Sequence, residues 1–328
     1  MRKLLIVTYH RLDLWIAPAW FAEQLRSEFP ALQVVQLNSY ENVEQEIVEA
    51  EIMFGISLRP EQFLAARKLR WIHSQSAAVN ELMFPELMDS DVIITNARDV
   101  HGPVVAEQVI AMIFALAKQI PAAVRFQQQH VWAQEAISRA ARPREVAGAT
   151  LGLVGLGSIG RNVAKRASSL GMRVIAVREH PEKEKPPHVD EVLPSSKLLD
   201  LLAQSDYVVL STPVTPETTG MIGHQQLAFM KPGACLINVG RGPLIDESAL
   251  IEVLRERKIG GAALDVFDQE PLPLDSALWD LEDLLITPHT AGLSEKMWER
   301  HYALFSENLQ RYFSGKPLLG LVDKHSGY

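Results

Sequence analysis

The chain has 328 residues, of which 47% are hydrophobic and 22% are charged, and this length is sufficient for two domains with separate cores. Its formal net charge is −8, which argues against nucleic acid or an acidic membrane surface as the main partner. The single cysteine, Cys235, excludes an internal disulfide, so a reducing compartment is the expected setting.

Residues 1–98 alternate short apolar runs with helical patterns. The predicted strands cover 4–8, 33–37, 52–56, 71–74 and 92–96, and the predicted helices cover 18–29, 43–50, 60–66 and 80–88. This alternation is typical of a doubly wound α/β domain with a parallel sheet. No glycine-rich turn interrupts it, so we do not expect a nucleotide site in this part of the chain.

A long, mostly apolar helix is predicted at residues 103–119, with Pro103 in its first turn. A helix this apolar must be covered on most sides, so it bridges two domains or lies between subunits, and we expect a homodimer. The polar stretch 127–146 is predicted to form an arm or a loop. No apolar run reaches the ~20 residues that cross a bilayer, which predicts a soluble cytoplasmic protein with no membrane partner.

Residues 149–160 have the order of a strand, a tight turn and a helix. The first glycine permits the turn, the second lets a pyrophosphate approach the backbone, and the third lets the helix pack against the strand. The helix N-terminus offers free N–H groups and a positive dipole end. The predicted cofactor contacts here are Gly155, Gly157, Ser158, Ile159 and Gly160. The six residues alone also fit an ordinary loop, but a second apolar run at 172–177 completes a βαβ unit of ~30 residues.

The same βα alternation continues to residue 290. The predicted strands cover 150–154, 173–177, 207–210, 234–238, 262–265 and 284–287, and the predicted helices cover 160–170, 196–203, 223–229 and 247–257. These strands are enough for a six-stranded dinucleotide-binding sheet. A final amphipathic helix is predicted at 294–313.

Several motifs occur together in a fixed order, at residues 155–160, 211–220, 230–234, 238–242, 263–273 and 287–292. They resemble those of the D-isomer-specific 2-hydroxyacid dehydrogenases, and of the glyoxylate/hydroxypyruvate reductases within that family. The resemblance implies two doubly wound parallel-sheet domains. A Rossmann cofactor domain, residues 99–290, would be inserted in a flavodoxin-like substrate domain formed by 1–98 and 291–328, with the active site in the cleft between them.

Three residues match the family's catalytic set: Arg241, Glu270 and His289. Reduction of a 2-oxo acid needs a hydride at C2 and a proton on the developing alkoxide, and an imidazolium is a natural proton donor. The resemblance implies that His289 is the general acid/base, Glu270 its orienting partner, and Arg241 the anchor for the substrate carboxylate. The structural alternatives are a surface histidine, a solvated loop carboxylate and an arginine in a tight turn.

Further contacts follow from the same resemblance. The family usually has a glycine-rich loop whose backbone N–H groups hold the substrate carboxylate. This chain has Ala77, Ala78 and Val79 there, so the resemblance predicts the conformation of this loop less closely than that of the other motifs. Asp265 matches the residue that receives the nicotinamide carboxamide, with a buried strand-end carboxylate as the alternative. The positions that line the cofactor at strand ends correspond to Thr212, Pro213, Val239 and Gly240.

The residue after the second cofactor-domain strand bears on the choice of nicotinamide. The family often has an aspartate there, which binds the ribose hydroxyls, whereas this chain has Arg178, followed by Lys183 and Lys185. An arginine attracts a 2′-phosphate, which an aspartate would repel, so the sequence favours NADP(H) over NAD(H). In the alternative, Arg178 is solvated and Glu179 contacts the ribose.

The leading hypothesis is a reductase of small 2-oxo acids such as glyoxylate, hydroxypyruvate or pyruvate. One alternative is a formate- or phosphite-type dehydrogenase, but formate enzymes carry glutamine where Glu270 stands. Another is a nucleotide-sensing corepressor, whose relatives carry long disordered extensions. The histidines show no metal-ligand spacing, and no nucleophile elbow is present.

Overall fold

The computed structural model describes residues 2–10, 12–140 and 143–324, and the chain divides into two compact units. Unit 1 comprises Met1–His101 and Ser294–Tyr328, and unit 2 comprises Gly102–Leu293. The domain boundaries predicted after residues 98 and 290 fall slightly earlier. Each unit contains a parallel sheet with helices, so the predicted α/β fold class is confirmed.

Unit 1 is built on a five-stranded sheet in the order β2-β1-β3-β4-β5, which is the flavodoxin-like order. Its strands are β1 Arg2–Val7, β2 Leu32–Leu37, β3 Ile52–Gly55, β4 Trp71–Ser74 and β5 Ile93–Asn96. Along β1, Leu4 and Ile6 enter one core, whereas Leu5 and Val7 enter another. Both faces of the sheet are therefore buried, which explains why this strand reads as a continuous apolar run.

The helices of unit 1 are α1 Ala19–Glu28, α2 Val43–Glu46, α3 Pro60–Ala65, α4 Pro85–Met88 and the C-terminal α12 Met297–Phe313. The helix predicted at 80–88 is a 3₁₀ turn, Asn80–Leu82, followed by α4, because Pro85 starts a new helix instead of continuing the old one. Phe305 of α12 is fully buried beside Phe21 and Phe54, so the end of the chain completes the core of unit 1.

The apolar helix α5 spans Arg98–Ala117, so the prediction that it begins at Pro103 was wrong. Asp99 lies in its first turn, where a carboxylate is favourable, and Pro103 is tolerated inside at the loss of one hydrogen bond. By length and composition α5 is able to cross a membrane, but 56% of its most apolar window is buried inside the protein. Core helices of soluble proteins have the same character.

The stretch 127–146, predicted as an arm or a loop, contains the helix α7, Gln134–Ala140, and the helix α6, Ile120–Gln128, lies before it and ends just inside it. The prediction missed α7 because few apolar residues mark a buried face there. None of the α6 residues is buried within the described chain. Large apolar side chains are exposed along this segment, and Trp132 is the most exposed at 91%.

Unit 2 contains a seven-stranded parallel sheet in the order β12-β11-β10-β9-β6-β7-β8. Its strands are β6 Thr150–Val154, β7 Arg173–Arg178, β8 Glu191–Pro194, β9 Tyr207–Leu210, β10 Cys235–Asn238, β11 Gly261–Leu264 and β12 Leu284–Ile286, and its remaining helices are α8 Ser158–Ser169, α9 Leu198–Gln204, α10 His224–Phe229 and α11 Glu247–Arg255. The prediction of six strands missed β8, an edge strand with only two apolar residues and no fully buried position. The central order is that of a dinucleotide-binding sheet.

Candidate active site

The turn between β6 and α8 has the geometry that the glycine motif predicts. Gly155 has a φ of 97°, a conformation that residues with a side chain rarely adopt. A Cβ on Gly160 would lie 2.3 Å from the carbonyl oxygen of Gly155, so the helix begins this close to the turn only because glycine stands there. A Cβ on Gly157 would meet nothing within 4 Å, so the backbone is open at this point.

The start of α8 can hold a phosphate group. Gly157 is its N-cap residue, no side chain caps the helix, and Ser158, Ile159 and Gly160 form its first turn. As at any helix start, the first N–H groups lack partners within the helix and carry a partial positive charge. An exposed glycine before uncapped N–H groups fits the pyrophosphate of a dinucleotide.

Neighbouring strand ends meet this turn. A Cβ on Gly155 would lie 3.1 Å from the backbone nitrogen of Thr212, and a Cβ on Gly240 would lie 3.0 Å from the carbonyl oxygen of Thr212. Pro213 is exposed and Val239 is buried beside them in sequence. The segment after β9 therefore lies against the glycine turn on one side and against the segment after β10 on the other, so Thr212 is close to both Gly155 and Gly240.

Arg178 ends β7, and its guanidinium lies against its own loop. Its Nη2 donates to the carbonyl oxygens of Lys183 and, at 3.2 Å, of Glu184. Its buried Nε has no protein partner within the described residues. The side chain thus holds the loop after β7, and its Nε–H group remains available to donate a hydrogen bond to a ligand.

The structure brings His289 and Glu270 together. The Nδ1 atom of His289 lies 2.6 Å from Oε2 of Glu270, and Oε1 of the same carboxylate accepts the backbone N–H of Phe267 at 3.0 Å. The His289 side chain is 50% exposed, so its ring is fixed at one nitrogen and accessible from solvent. A carboxylate in this position fixes the orientation of the ring.

Arg241 follows β10 on the same side of the sheet. Its Nη1 donates to the carbonyl oxygen of Gly240 at 2.6 Å. Burial lowers the pKa of the Arg241 guanidinium, and the negative charge of Glu270 opposes this change. A partly buried guanidinium, a carboxylate and an imidazole thus occupy the loops after β10, β11 and β12, respectively.

Asp265 directly follows β11 and is 2% exposed. Its carboxylate accepts hydrogen bonds from Thr287, Thr290 and Ala291, in the segment that carries His289. Burial raises the pKa of the Asp265 carboxyl, and these hydrogen bonds oppose the increase. Oδ2 receives only the N–H of Ala291 within the described chain, so it retains capacity for a carboxamide donor.

The predicted substrate loop belongs to unit 1, whereas the residues described above belong to unit 2. The side-chain amide of Asn96 donates to the carbonyl oxygen of Ala77 at 2.8 Å. Ala77 and Ala78 are half-buried and Val79 is buried. The loop is therefore tied to the end of β5 although it lacks glycine.

The sequence analysis did not identify three residues that contact the candidate site residues. The N–H of Phe267 leaves no side-chain signal, because any residue supplies it. Thr287 donates to Asp265, and a hydroxyl residue two positions before His289 is the only hint of this. Gly102 of α5 packs on Ser158, and only its glycine identity hints at the close approach. Among the described residues, no group of three potential ligands is placed to hold a metal ion.

The sequence of this chain is similar to those of known dehydrogenases. A family model for the D-isomer specific 2-hydroxyacid dehydrogenase NAD binding domain matches residues 110–291. A glyoxylate reductase from Korarchaeum cryptofilum is 36% identical over 268 residues, which cover 80% of this chain and 79% of that protein. A glycerate dehydrogenase from Methylorubrum extorquens is 36% identical over 234 residues, 69% of this chain and 70% of that one.

Solved structures resemble the whole chain. A D-isomer specific 2-hydroxyacid dehydrogenase from Xanthobacter autotrophicus Py2, in complex with NADPH and MES, has a TM-score of 0.85 and 29% identity over 100% of both chains. An NADPH-dependent glyoxylate/hydroxypyruvate reductase from Sinorhizobium meliloti, in complex with NADP and sulfate, has a TM-score of 0.83 and 25% identity, again over 100% of both chains.

Proposed function

Because the chain belongs to the D-isomer specific 2-hydroxyacid dehydrogenase family, a family of NAD(P)-dependent oxidoreductases acting on CH–OH groups, we propose that it reduces a small 2-oxo acid with NADPH. Glyoxylate, hydroxypyruvate and pyruvate are the proposed substrates. The observation that carries this proposal is the 2.6 Å contact between His289 Nδ1 and Glu270 Oε2 beside Arg241.

The proton step is assigned to His289. With Nδ1 engaged by Glu270, the opposite ring nitrogen is the one that delivers a proton to the developing alkoxide. Glu270 fixes the ring plane and offsets the positive charge of the imidazolium. In the oxidative direction the same nitrogen accepts the hydroxyl proton.

Substrate binding is assigned to Arg241 and to the loop of unit 1. A guanidinium presents a planar fork of donors to a carboxylate, and partial burial of Arg241 strengthens that attraction. Backbone N–H groups at Ala77, Ala78 and Val79 are proposed as further substrate contacts.

The cofactor, when bound, supplies the hydride that adds to C2. The glycine turn and the first turn of α8 are proposed to hold its pyrophosphate, and the ends of β9, β10 and β11 its nicotinamide half. Arg178 is proposed to bind a 2′-phosphate by exchanging the loop carbonyls for phosphate oxygens. This supports NADPH over NADH.

The protein is also proposed to be a cytoplasmic homodimer. Ile120 and Val124 of α6, with Val131 and Trp132 after it, are exposed apolar side chains on one short segment. A second copy is the proposed cover for them. Trp132→Ser is expected to shift the protein toward the monomer in analytical ultracentrifugation, and an unchanged sedimentation profile would contradict this assignment.

The test of function is turnover of purified protein with each of the three 2-oxo acids, with NADPH and with NADH. We expect oxidation of NADPH that His289→Ala reduces about 10²- to 10⁴-fold. Binding of NADPH, followed by its fluorescence, should persist in that variant. Absence of turnover with every 2-oxo acid, or equal activity of His289→Ala, would overturn the proposal.

A further inference from the structure

The backbone of the proposed proton donor is in an unfavourable conformation. His289 has a φ of 53°, in the left-handed region that side chains disfavour. Such a residue keeps this conformation only when its surroundings hold it. The contacts that hold His289 are therefore part of the machinery that points its ring at Glu270.

Asp265 holds this turn from the end of β11. Its backbone oxygen accepts the N–H of His289 at 2.8 Å. Its carboxylate accepts the N–H groups of Thr290 and Ala291, each at 3.0 Å to its nearer oxygen. Three consecutive N–H groups thus bond to one buried residue, and the two that reach its carboxylate suit a negatively charged acceptor.

The side chain of Thr287 completes the arrangement. Its hydroxyl donates to Oδ1 of Asp265, the oxygen that also receives Thr290. Burial raises the pKa of the Asp265 carboxyl, and the bond from Thr287 is the largest effect opposing that rise. Loss of the hydroxyl would remove one of the contacts that orient the carboxylate on which the turn depends.

We propose that Thr287 is a positioning residue, whose hydroxyl orients the Asp265 carboxylate so that this carboxylate holds His289 in its left-handed turn. The hydroxyl bonds to Asp265, so it acts through that residue and not on the substrate. The consequence for catalysis rests on the proposed function, because it requires His289 to be the proton donor.

The experiment compares Thr287→Val, which keeps the side-chain shape, with Thr287→Ser, which keeps the hydroxyl. Ser205→Ala is the matched control, because it removes a fully buried hydroxyl whose one hydrogen bond among the described residues goes to the carbonyl oxygen of Leu201 on α9. Three quantities are measured for each variant. They are kcat with NADPH, the melting temperature, and the imidazole N–H proton signals of protein labelled with ¹⁵N-histidine. His289→Ala identifies which signal belongs to His289.

We expect Thr287→Val to lower kcat about 10- to 100-fold and to broaden the His289 Nδ1 proton signal, since small displacements of catalytic groups have effects of this size. Thr287→Ser should retain both the rate and the signal. Ser205→Ala should lower the melting temperature with kcat unchanged.

A wild-type rate and signal in Thr287→Val would overturn the inference, and so would a Thr287→Ser variant as slow as Thr287→Val. The proton signal reads the contact between His289 and Glu270 without turnover. If no 2-oxo acid is reduced, the proposed function fails while this measurement still tests the role of Thr287.

Discussion

Glu270 is bonded at both of its oxygens: the N–H of Phe267 donates to Oε1 at 3.0 Å, and His289 contacts Oε2 at 2.6 Å. The loop after β11 therefore fixes the carboxylate that orients a ring in the loop after β12. The two loops are thus linked through Glu270. A substitution that keeps the shape of this side chain can test its charge separately.

Glu270→Gln keeps an acceptor for the N–H of Phe267 but removes the negative charge. We expect kcat for reduction to fall about 10- to 100-fold, because the imidazolium loses its counter-charge. Glu247→Gln is the control, since Glu247 accepts the N–H of Asp268 at 2.9 Å in the same loop without contacting His289. Equal losses in the two variants would mean that the loop, and not the charge beside His289, is what matters. Steady-state kinetics decides this.

Arg178→Asp should exchange the preferred nicotinamide. The KM for NADPH is expected to rise by at least about tenfold, because a carboxylate repels a 2′-phosphate, while the KM for NADH changes little or falls. Arg173→Asp, at the opposite end of the same strand and paired with Glu191, is the control. Unaltered NADPH affinity in Arg178→Asp would refute the assignment of NADPH to Arg178.

Acid should destabilise the protein through two buried histidines of unit 1. Burial lowers the pKa of His73 to about 3 and the pKa of His301 well below its ordinary value of 6.5. Below pH 6.5 the unfolded chain binds protons that the folded chain does not. Stability is therefore lost as the pH falls below 6.5, by about 1.4 kcal/mol per pH unit for each histidine that stays neutral in the folded chain, and for His73 this loss continues toward pH 3. Urea unfolding at several pH values measures this loss.

His301→Leu isolates one of these groups. Both ring nitrogens of His301 lack protein partners within the described residues, so an apolar replacement leaves no partner unsatisfied. We expect the loss of stability per pH unit to shrink by the contribution of one proton. His224→Asn, which alters an exposed histidine, should leave the slope unchanged. A His301→Leu slope equal to that of the wild type would contradict the prediction.

Gly102→Ala should weaken cofactor binding. A Cβ on Gly102 would lie 2.3 Å from Oγ and 3.3 Å from the carbonyl carbon of Ser158, the first residue of α8. Displacement of that residue moves the N–H groups proposed to bind pyrophosphate, and we expect NADPH to bind about tenfold more weakly. In the control Gly223→Ala the new methyl group would meet its nearest neighbours at 3.8 Å, an ordinary contact. NADPH fluorescence titration compares the two.

The sequence predicted the parts of the fold whose residues repeat a simple pattern. The buried strands of both sheets read as apolar runs, and Gly155 and Gly160 in the turn after β6 each meet a spatial requirement that the structure contains. Arg241, Glu270 and His289 each follow a strand of the unit 2 sheet, and parallel strands bring their carboxyl ends to one edge.

Other features could not be predicted because no single residue encodes them. Edge strand β8 has too few apolar residues, and α7 buries too little to show a periodic face. The hydrogen bonds that fix Glu270 and His289 come from backbone N–H groups, which every residue except proline possesses. Their direction depends on the folded path of the chain, as the left-handed turn at His289 illustrates.

The continuity of α5 limits how this molecule can be re-engineered. The first crossing between the compact units falls inside that helix, between His101 and Gly102. If unit 2 were transferred to another protein, it would need to keep Gly102, which packs on Ser158. It would lose the first turn of α5, including the carboxylate of Asp99. A successful chimera would thus require a redesigned helix start at the splice.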